Sequence, residues 1–168
     1  LQDRKVWLSS GAYLVIDQTE ALTVVDVNTG KFVGSKNLND TIFQTNMEAA
    51  VEIARQLRLR AIDGIIVVDF IDMDSKEENQ ELIRQLQELF KNDRCKARVY
   101  GVTGLGLVEI TRKRARTDIK AALSHGCPFC GGLGWVPREE SIALQIKRFI
   151  RKIVMSSRSE ALLIEAYP

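Results

Sequence analysis

Two apolar stretches, each interrupted by an aspartate, constrain the fold of this 168-residue chain more than any other feature. Leu22-Thr23-Val24-Val25-Asp26-Val27-Asn28-Thr29-Gly30 is rich in β-branched residues and closes on a glycine turn signal. Ile65-Ile66-Val67-Val68-Asp69-Phe70-Ile71-Asp72 repeats the pattern. A carboxylate among such neighbours loses hydration, which costs free energy unless a partner compensates it. Two strands that each deliver one aspartate toward the C-terminal end build a site for a divalent cation. The competing explanation is that both aspartates merely cap turns at strand ends.

The remaining periodicities supply a scaffold. Tyr13-Leu14-Val15-Ile16 and Leu22–Asn28 predict a hairpin, with residues 1–12 an entry loop holding Trp7, and residues 29–39 another loop. Phe43, Met47, Ala50, Ala54 and Leu57 recur at helical spacing, so a helix is expected from Thr41 to about Arg60. Asp63-Gly64 turns the chain into the Asp69 strand, which is apolar on both faces and is expected to be central, covered by helices. Ser75-Lys76-Glu77-Glu78 is a capping box opening a second helix that carries Leu82, Ile83, Leu86, Leu89 and Phe90. Ala97–Tyr100 and Leu105–Thr111 are candidate strands, 112–123 a basic helix, and 139–155 a last helix before a strand begun at Leu162-Leu163-Ile164. The order ββαβαββ predicts an α/β fold with a mixed sheet and packed helices.

Hydrophobic content of 45% and charged content of 27% are ordinary for a soluble globular protein. No apolar run reaches the length of a membrane span, and no signal peptide is evident, so a cytoplasmic location is expected. The chain opens on Leu1, consistent with an excised portion of a longer protein. Its net charge of +2 says little, but the distribution says more. Arg94, Lys96, Arg98, Arg112, Lys113, Arg114, Arg116 and Lys120 are opposed within their segment by Glu109 and Asp118, which suits a polyanionic partner or a solvated charged face.

Asp26 and Asp69 suit Mg²⁺, which takes one or two carboxylates and completes its shell from waters and substrate phosphate. Asn28, two residues past Asp26, falls on the same strand face and can hold that carboxylate or the phosphate. Asp72 is a candidate third carboxylate. Asp26–Gly30 fails as a calcium loop, and Gly101-Val102-Thr103-Gly104-Leu105-Gly106 lacks the lysine and helix of a phosphate loop. With one histidine and no Ser/His/Asp set, nucleophilic catalysis has little to work with.

Cys127-Pro128-Phe129-Cys130 has zinc-knuckle spacing, and structural zinc needs four ligands. Either Cys95 and His125 complete the site within one chain, or a second copy brings its own knuckle. The closeness of His125 to Cys127 favours the shared site, a zinc clamp for a homodimer.

Five segments carry a family resemblance: Asp17–Thr23, Val25–Gly30, Ile53–Arg60, Ile66–Met73 and Gly106–Arg114. Together with the knuckle they resemble the catalytic half of the ribonuclease E/G family, nearest its G branch, from about Ser10 to Val136. The resemblance implies a DNase I-like catalytic subdomain (1–123), a zinc link (124–137) and the start of a small domain (138–168). It implies that Asp26 and Asp69 hold a catalytic Mg²⁺ assisted by Asn28, and that Cys127 and Cys130 share one Zn²⁺ between two chains. The implied activity is endonucleolytic hydrolysis of single-stranded RNA to 5′-phosphate and 3′-hydroxyl ends, in RNA processing and decay, rRNA processing included. Arg112, Lys113, Arg114 and Lys96 would contact the RNA backbone. Tyr100 is the aromatic nearest that patch, so base stacking is expected to fall to the family's S1 region, which precedes the resembling segments. The competing class is a non-catalytic, zinc-linked dimerisation and RNA-docking module.

Overall fold

The computed structural model describes residues 3–30, 38–115, 117–156, 161–163 and 165. The chain divides into two units, Leu1–Ser124 and His125–Pro168. The first contains β1 (Lys5–Trp7), β2 (Tyr13–Gln18), β3 (Leu22–Asn28), α1 (Leu38–Leu59), β4 (Gly64–Asp69), α2 (Lys76–Phe90), β5 (Arg98–Val102), β6 (Val108–Arg112) and α3 (Ile119–Leu123). Its six strands form one mixed sheet in the order β1-β2-β3-β4-β6-β5. β3 and β4 run parallel and every other neighbouring pair is antiparallel. The parallel pair needs a crossover, and α1 supplies it.

Alternation sets the inner face. Val25 and Val27 of β3, Ile66 and Val68 of β4, and Val108 and Ile110 of β6 are buried in one core with Ala49, Ala50, Ile53, Ala54 and Leu57 of α1 and Leu82, Leu86 and Phe90 of α2. α2 opens as predicted, with Ser75 Oγ accepting the Glu78 N–H at 3.2 Å. The expectation that β4 is covered on both faces is corrected: Ile65 is 51% exposed, and Asp69 is exposed too. Both long helices pack on one face, because β6 reaches β4 through a tight turn from β5 rather than through another helix, so among the described residues of this unit no helix covers the sheet's other face.

Four further expectations change. Trp7 belongs to a strand, with Trp7 opposite Tyr13 and Lys5 opposite Val15. The strand predicted from Leu105 starts at Val108, because Thr103 closes a turn onto Leu107 (N–H to O, 2.8 Å). The basic helix predicted over 112–123 shrinks to Ile119–Leu123, since Arg112 completes β6; Arg116 lies outside the described residues. α1 starts at Leu38, and residues 31–37 of the predicted 29–39 loop are not among those described.

The second unit holds the Cys127–Gly134 turns and α4 (Glu139–Ser156), on which Ile146, Ile150 and Ile153 are half-buried. Leu162 and Leu163 lie outside any strand, and Ile164 is not among the described residues. Among the described residues no helix is long and apolar enough to cross a membrane.

Candidate functional site

The parallel register pairs Asp26 directly with Asp69. Both side chains are exposed while their chain neighbours Val25, Val27, Val68 and Phe70 are buried, so strand alternation puts both carboxylates on the open face. Adjacent strands lie about 4.8 Å apart. Like charges placed directly across a strand pair repel, a cost that a bound cation relieves. The pair lies at the carboxyl ends of the two parallel strands, where open α/β sheets gather ligands.

Neighbouring groups fix this arrangement. Asn28 Nδ2 donates to Asp26 Oδ2 at 2.8 Å, so the predicted partnership forms and sets the carboxylate's rotation. The backbone beyond Asp69 is clamped from α1. The fully buried Asn46 donates from Nδ2 to the Ile71 carbonyl at 2.7 Å, and its Oδ1 accepts the Ile71 N–H at 3.1 Å. Nothing in the sequence distinguishes Asn46 from the other polar residues of α1, because its partner lies 25 residues away. Beyond Asn28 the chain turns at Gly30 with φ of +64°, and a side-chain carbon there would overlap the Gly11 carbonyl oxygen. Glu48 holds that Gly11 turn by accepting the Ser9 N–H at 2.6 Å. Asp72 is exposed near the Gly106 turn, but it does not join the pair: among the described residues no three His, Cys, Asp or Glu side chains gather closely enough to hold a metal.

The basic residues sit elsewhere. Gly64 pairs with Arg112 and Val68 with Val108, so Lys113 and Arg114 follow the end of β6 that lies beside the start of β4. Lys96 precedes β5 at that same end, where Arg98 pairs with Thr111. From Gly64 to Asp69 is five residues, about 16 Å of strand. Lys96, Lys113 and Arg114 are exposed, and Arg114 meets Asp63 at 3.3 Å.

Arg112 is a correction. Its side chain is 5% exposed and pairs with an Asp93 carboxylate that is 1% exposed, at 2.9 Å. Its Nη1 also donates to the Leu57 and Ile62 carbonyls at 3.0 and 2.7 Å. Burial pushes the Asp93 carboxyl up, but hydrogen bonds from Arg112 and from the Cys95 N–H outweigh it and hold the group below its usual range. Strand alternation turns Arg112 into the core, so its guanidinium locks α1 and the α2–β5 connection to β6 instead of standing exposed with Lys113 and Arg114.

In the second unit Cys130 Sγ accepts the Gly134 N–H at 3.3 Å. Backbone N–H groups of Gly134 and Gly132, then the Cys127 thiol, bring the Cys130 thiol below its ordinary range. Gly131, Gly132 and Gly134 all take positive φ; the Gly131 N–H donates to the Cys127 carbonyl at 2.8 Å, and those of Gly132 and Gly134 face the Cys130 sulfur. This favours a thiolate, the form that ligates zinc. The knuckle provides two sulfurs, and His125 does not gather with them into a trio.

Unit 1 is thus an α/β domain with a carboxylate pair suited to a hard cation, carried on an open sheet face. Residues 1–115 match the family model of the Ribonuclease E/G family. The chain is 49% identical over 166 residues to Ribonuclease G of Escherichia coli (strain K12), covering 99% of this chain and 34% of that protein. Ribonuclease G of Haemophilus influenzae is 45% identical over the same span and coverage. Ribonuclease E of Synechocystis sp. is 48% identical over 130 residues, 77% of this chain and 19% of that protein. The chain belongs to the Ribonuclease E/G family, and it spans about a third of the length of the Ribonuclease G relatives it matches.

Proposed function

We propose that this chain is the core of a Mg²⁺-dependent endoribonuclease that hydrolyses single-stranded RNA in RNA processing, leaving 5′-phosphate and 3′-hydroxyl ends. The observation that carries the reading is the parallel pairing of Asp26 with Asp69 on an exposed face, with Asn28 fixing Asp26. Family membership supports it. Asp26 and Asp69 would hold the ion; when bound, Mg²⁺ activates a water and offsets charge on the scissile phosphate. Asn28 keeps Asp26 Oδ2 oriented, and Asn46 fixes the backbone two residues past Asp69. Residues 1–123 would form the catalytic subdomain, 124–137 the zinc link and 138–168 the start of a smaller domain, in a cytoplasmic protein.

The decisive experiment compares Asp26→Asn and Asp69→Asn in the full-length protein. Both are expected to abolish Mg²⁺-dependent cleavage while leaving RNA binding and thermal unfolding close to wild type. Cleavage retained by either folded variant refutes the assignment and returns the domain to a zinc-linked RNA-docking role.

The knuckle would contribute half of a tetrahedral zinc site shared with a second copy, because two sulfurs lie together and the amides around Cys130 favour its thiolate. One zinc per two chains, and monomers from Cys130→Ser, are the expected results. One zinc per chain, lost on Cys95→Ser, refutes the shared site.

A further inference from the structure

We infer that Trp7 and Tyr13, with Lys5 beside them, form a stacking platform for a base of the single-stranded RNA whose phosphate lies at Asp26 and Asp69. The inference rests on the proposed ribonuclease reading and adds to it a subsite on the same sheet face.

Register alone joins the two places. Tyr13 pairs with Asn28, the residue that holds Asp26, and Val15 pairs with Asp26 itself. Trp7 pairs with Tyr13 and Lys5 with Val15. Paired residues share a sheet face, so all three side chains stand on the face that carries the carboxylates. Two strand spacings across and two residues along put Trp7 about 12 Å from Asp26, within reach of a nearby nucleotide of one strand.

The chemistry fits a nucleobase. Trp7 is 63% exposed although it is the largest side-chain type and sits in a regular strand. Its ring centroid lies 5.2 Å from that of Tyr13 with the planes tilted by 58°, so the two faces are not stacked on each other. Lys5 Nζ stands 4.1 Å from the Trp7 centroid and 3.5 Å from that of Tyr13. One ammonium therefore steadies both rings and supplies a positive charge for the phosphate of a stacked nucleotide. An indole face open to solvent, a fixed phenol ring and an adjacent cation are the components by which single strands are bound without sequence readout. The exposed cations Lys96, Lys113 and Arg114 stand beside the start of β4, at the far end from the carboxylates, whereas Lys5, Trp7 and Tyr13 lie within two strands of Asp26.

In the full-length protein with every tryptophan but Trp7 replaced by phenylalanine, Trp135 among them, Trp7 is the reporter. In that background, without added Mg²⁺, a single-stranded oligoadenylate is expected to quench Trp7 emission. An abasic oligomer of equal length and charge should not. Trp7→Ala should weaken oligoadenylate binding by about fivefold to a hundredfold, and Trp7→Phe should recover most of the loss. With Mg²⁺, Trp7→Ala should raise KM and leave kcat near wild type. Equal quenching by the abasic oligomer, or unchanged binding by Trp7→Ala, overturns the platform. So does protection of Trp7 from acrylamide before RNA is added, which would mean that protein covers the ring. The parent reading fails separately: cleavage surviving Asp26→Asn sinks the catalytic assignment whatever Trp7 reports, whereas a silent Trp7 beside inactive Asp26→Asn removes the platform alone.

Discussion

Arg112→Met separates two roles that the sequence left merged, RNA contact and internal brace. The guanidinium makes two hydrogen bonds to Asp93, at 2.9 and 3.2 Å, and one each to the Leu57 and Ile62 carbonyls. Methionine fills similar space but leaves Asp93 buried with the Cys95 N–H alone, at 2.8 Å. Removing one member of a buried ion pair costs about 3–5 kcal/mol. The carbonyls add less, because the Leu57 oxygen keeps the Ile62 N–H at 3.0 Å and Ile62 loses one acceptor interaction worth about 1 kcal/mol. The sum is a large share of the ~5–15 kcal/mol that holds a typical domain together. Urea unfolding monitored by circular dichroism at neutral pH should show it as a lower midpoint. The double variant Asp93→Leu/Arg112→Met should recover most of the loss, since apolar replacements of a buried pair are often neutral. The pH dependence has a fixed sign. Asp93 is held below its unfolded value, so its contribution is complete above the ordinary aspartate pKa of about 3.9 and fades as pH falls through the lower folded value. The gap between wild type and Arg112→Met should therefore narrow in acid. An Arg112→Met protein with an unchanged urea midpoint and weakened RNA binding would refute the brace and restore the RNA contact.

Asn46→Ala strips both partners from the Ile71 peptide groups and should cost about 2–4 kcal/mol in urea unfolding. In residual folded enzyme it should lower kcat more than it raises KM, because the backbone following Asp69 is released. Lys113→Ala/Arg114→Ala should leave stability unchanged and reduce the salt slope of single-stranded RNA binding by about 1.4 if both side chains meet phosphates. An unchanged slope would show that these cations serve only the surface.

The α/β class, both aspartate strands, the two long helices and the Ser75 cap were legible because each rests on local periodicity or capping chemistry. Which face of β4 is covered was not. Ile65-Ile66-Val67-Val68 is apolar throughout, and a run without alternation says that burial is tolerated on both sides, not that both sides are buried. Arg112 was misassigned for a related reason. Charge clustering along the chain grouped it with Lys113 and Arg114, whereas the two-residue period of β6 places it on the inner side with Val108 and Ile110. Trp7 was hidden because a three-residue edge strand is too short to show a period, and its partner Tyr13 is defined only by pairing. At the candidate site Asp26, Asn28 and Asp69 were readable, while Asn46 was not, since its target is 25 residues away.

The separation between charges and carboxylates has a consequence for the proposed reaction. Lys96, Lys113 and Arg114 follow the start of β4 and the carboxylate pair closes its end, about 16 Å away. A phosphate at Asp26 and Asp69 cannot be the phosphate those cations neutralise. At that distance, well beyond the Debye length of about 8 Å at physiological salt, their Coulombic effect on the reacting group is strongly screened. In the proposed reaction, transition-state charge would be offset at the carboxylate end, by the Mg²⁺ that Asp26 and Asp69 would hold, and these three distant cations would add only binding that is equal in ground and transition states. Binding of that kind moves KM and leaves kcat unchanged. Raising ionic strength should accordingly weaken turnover at subsaturating RNA and spare it at saturation, whereas a kcat that falls with salt in proportion to affinity would require a cation much nearer to the reacting phosphate than any of these three.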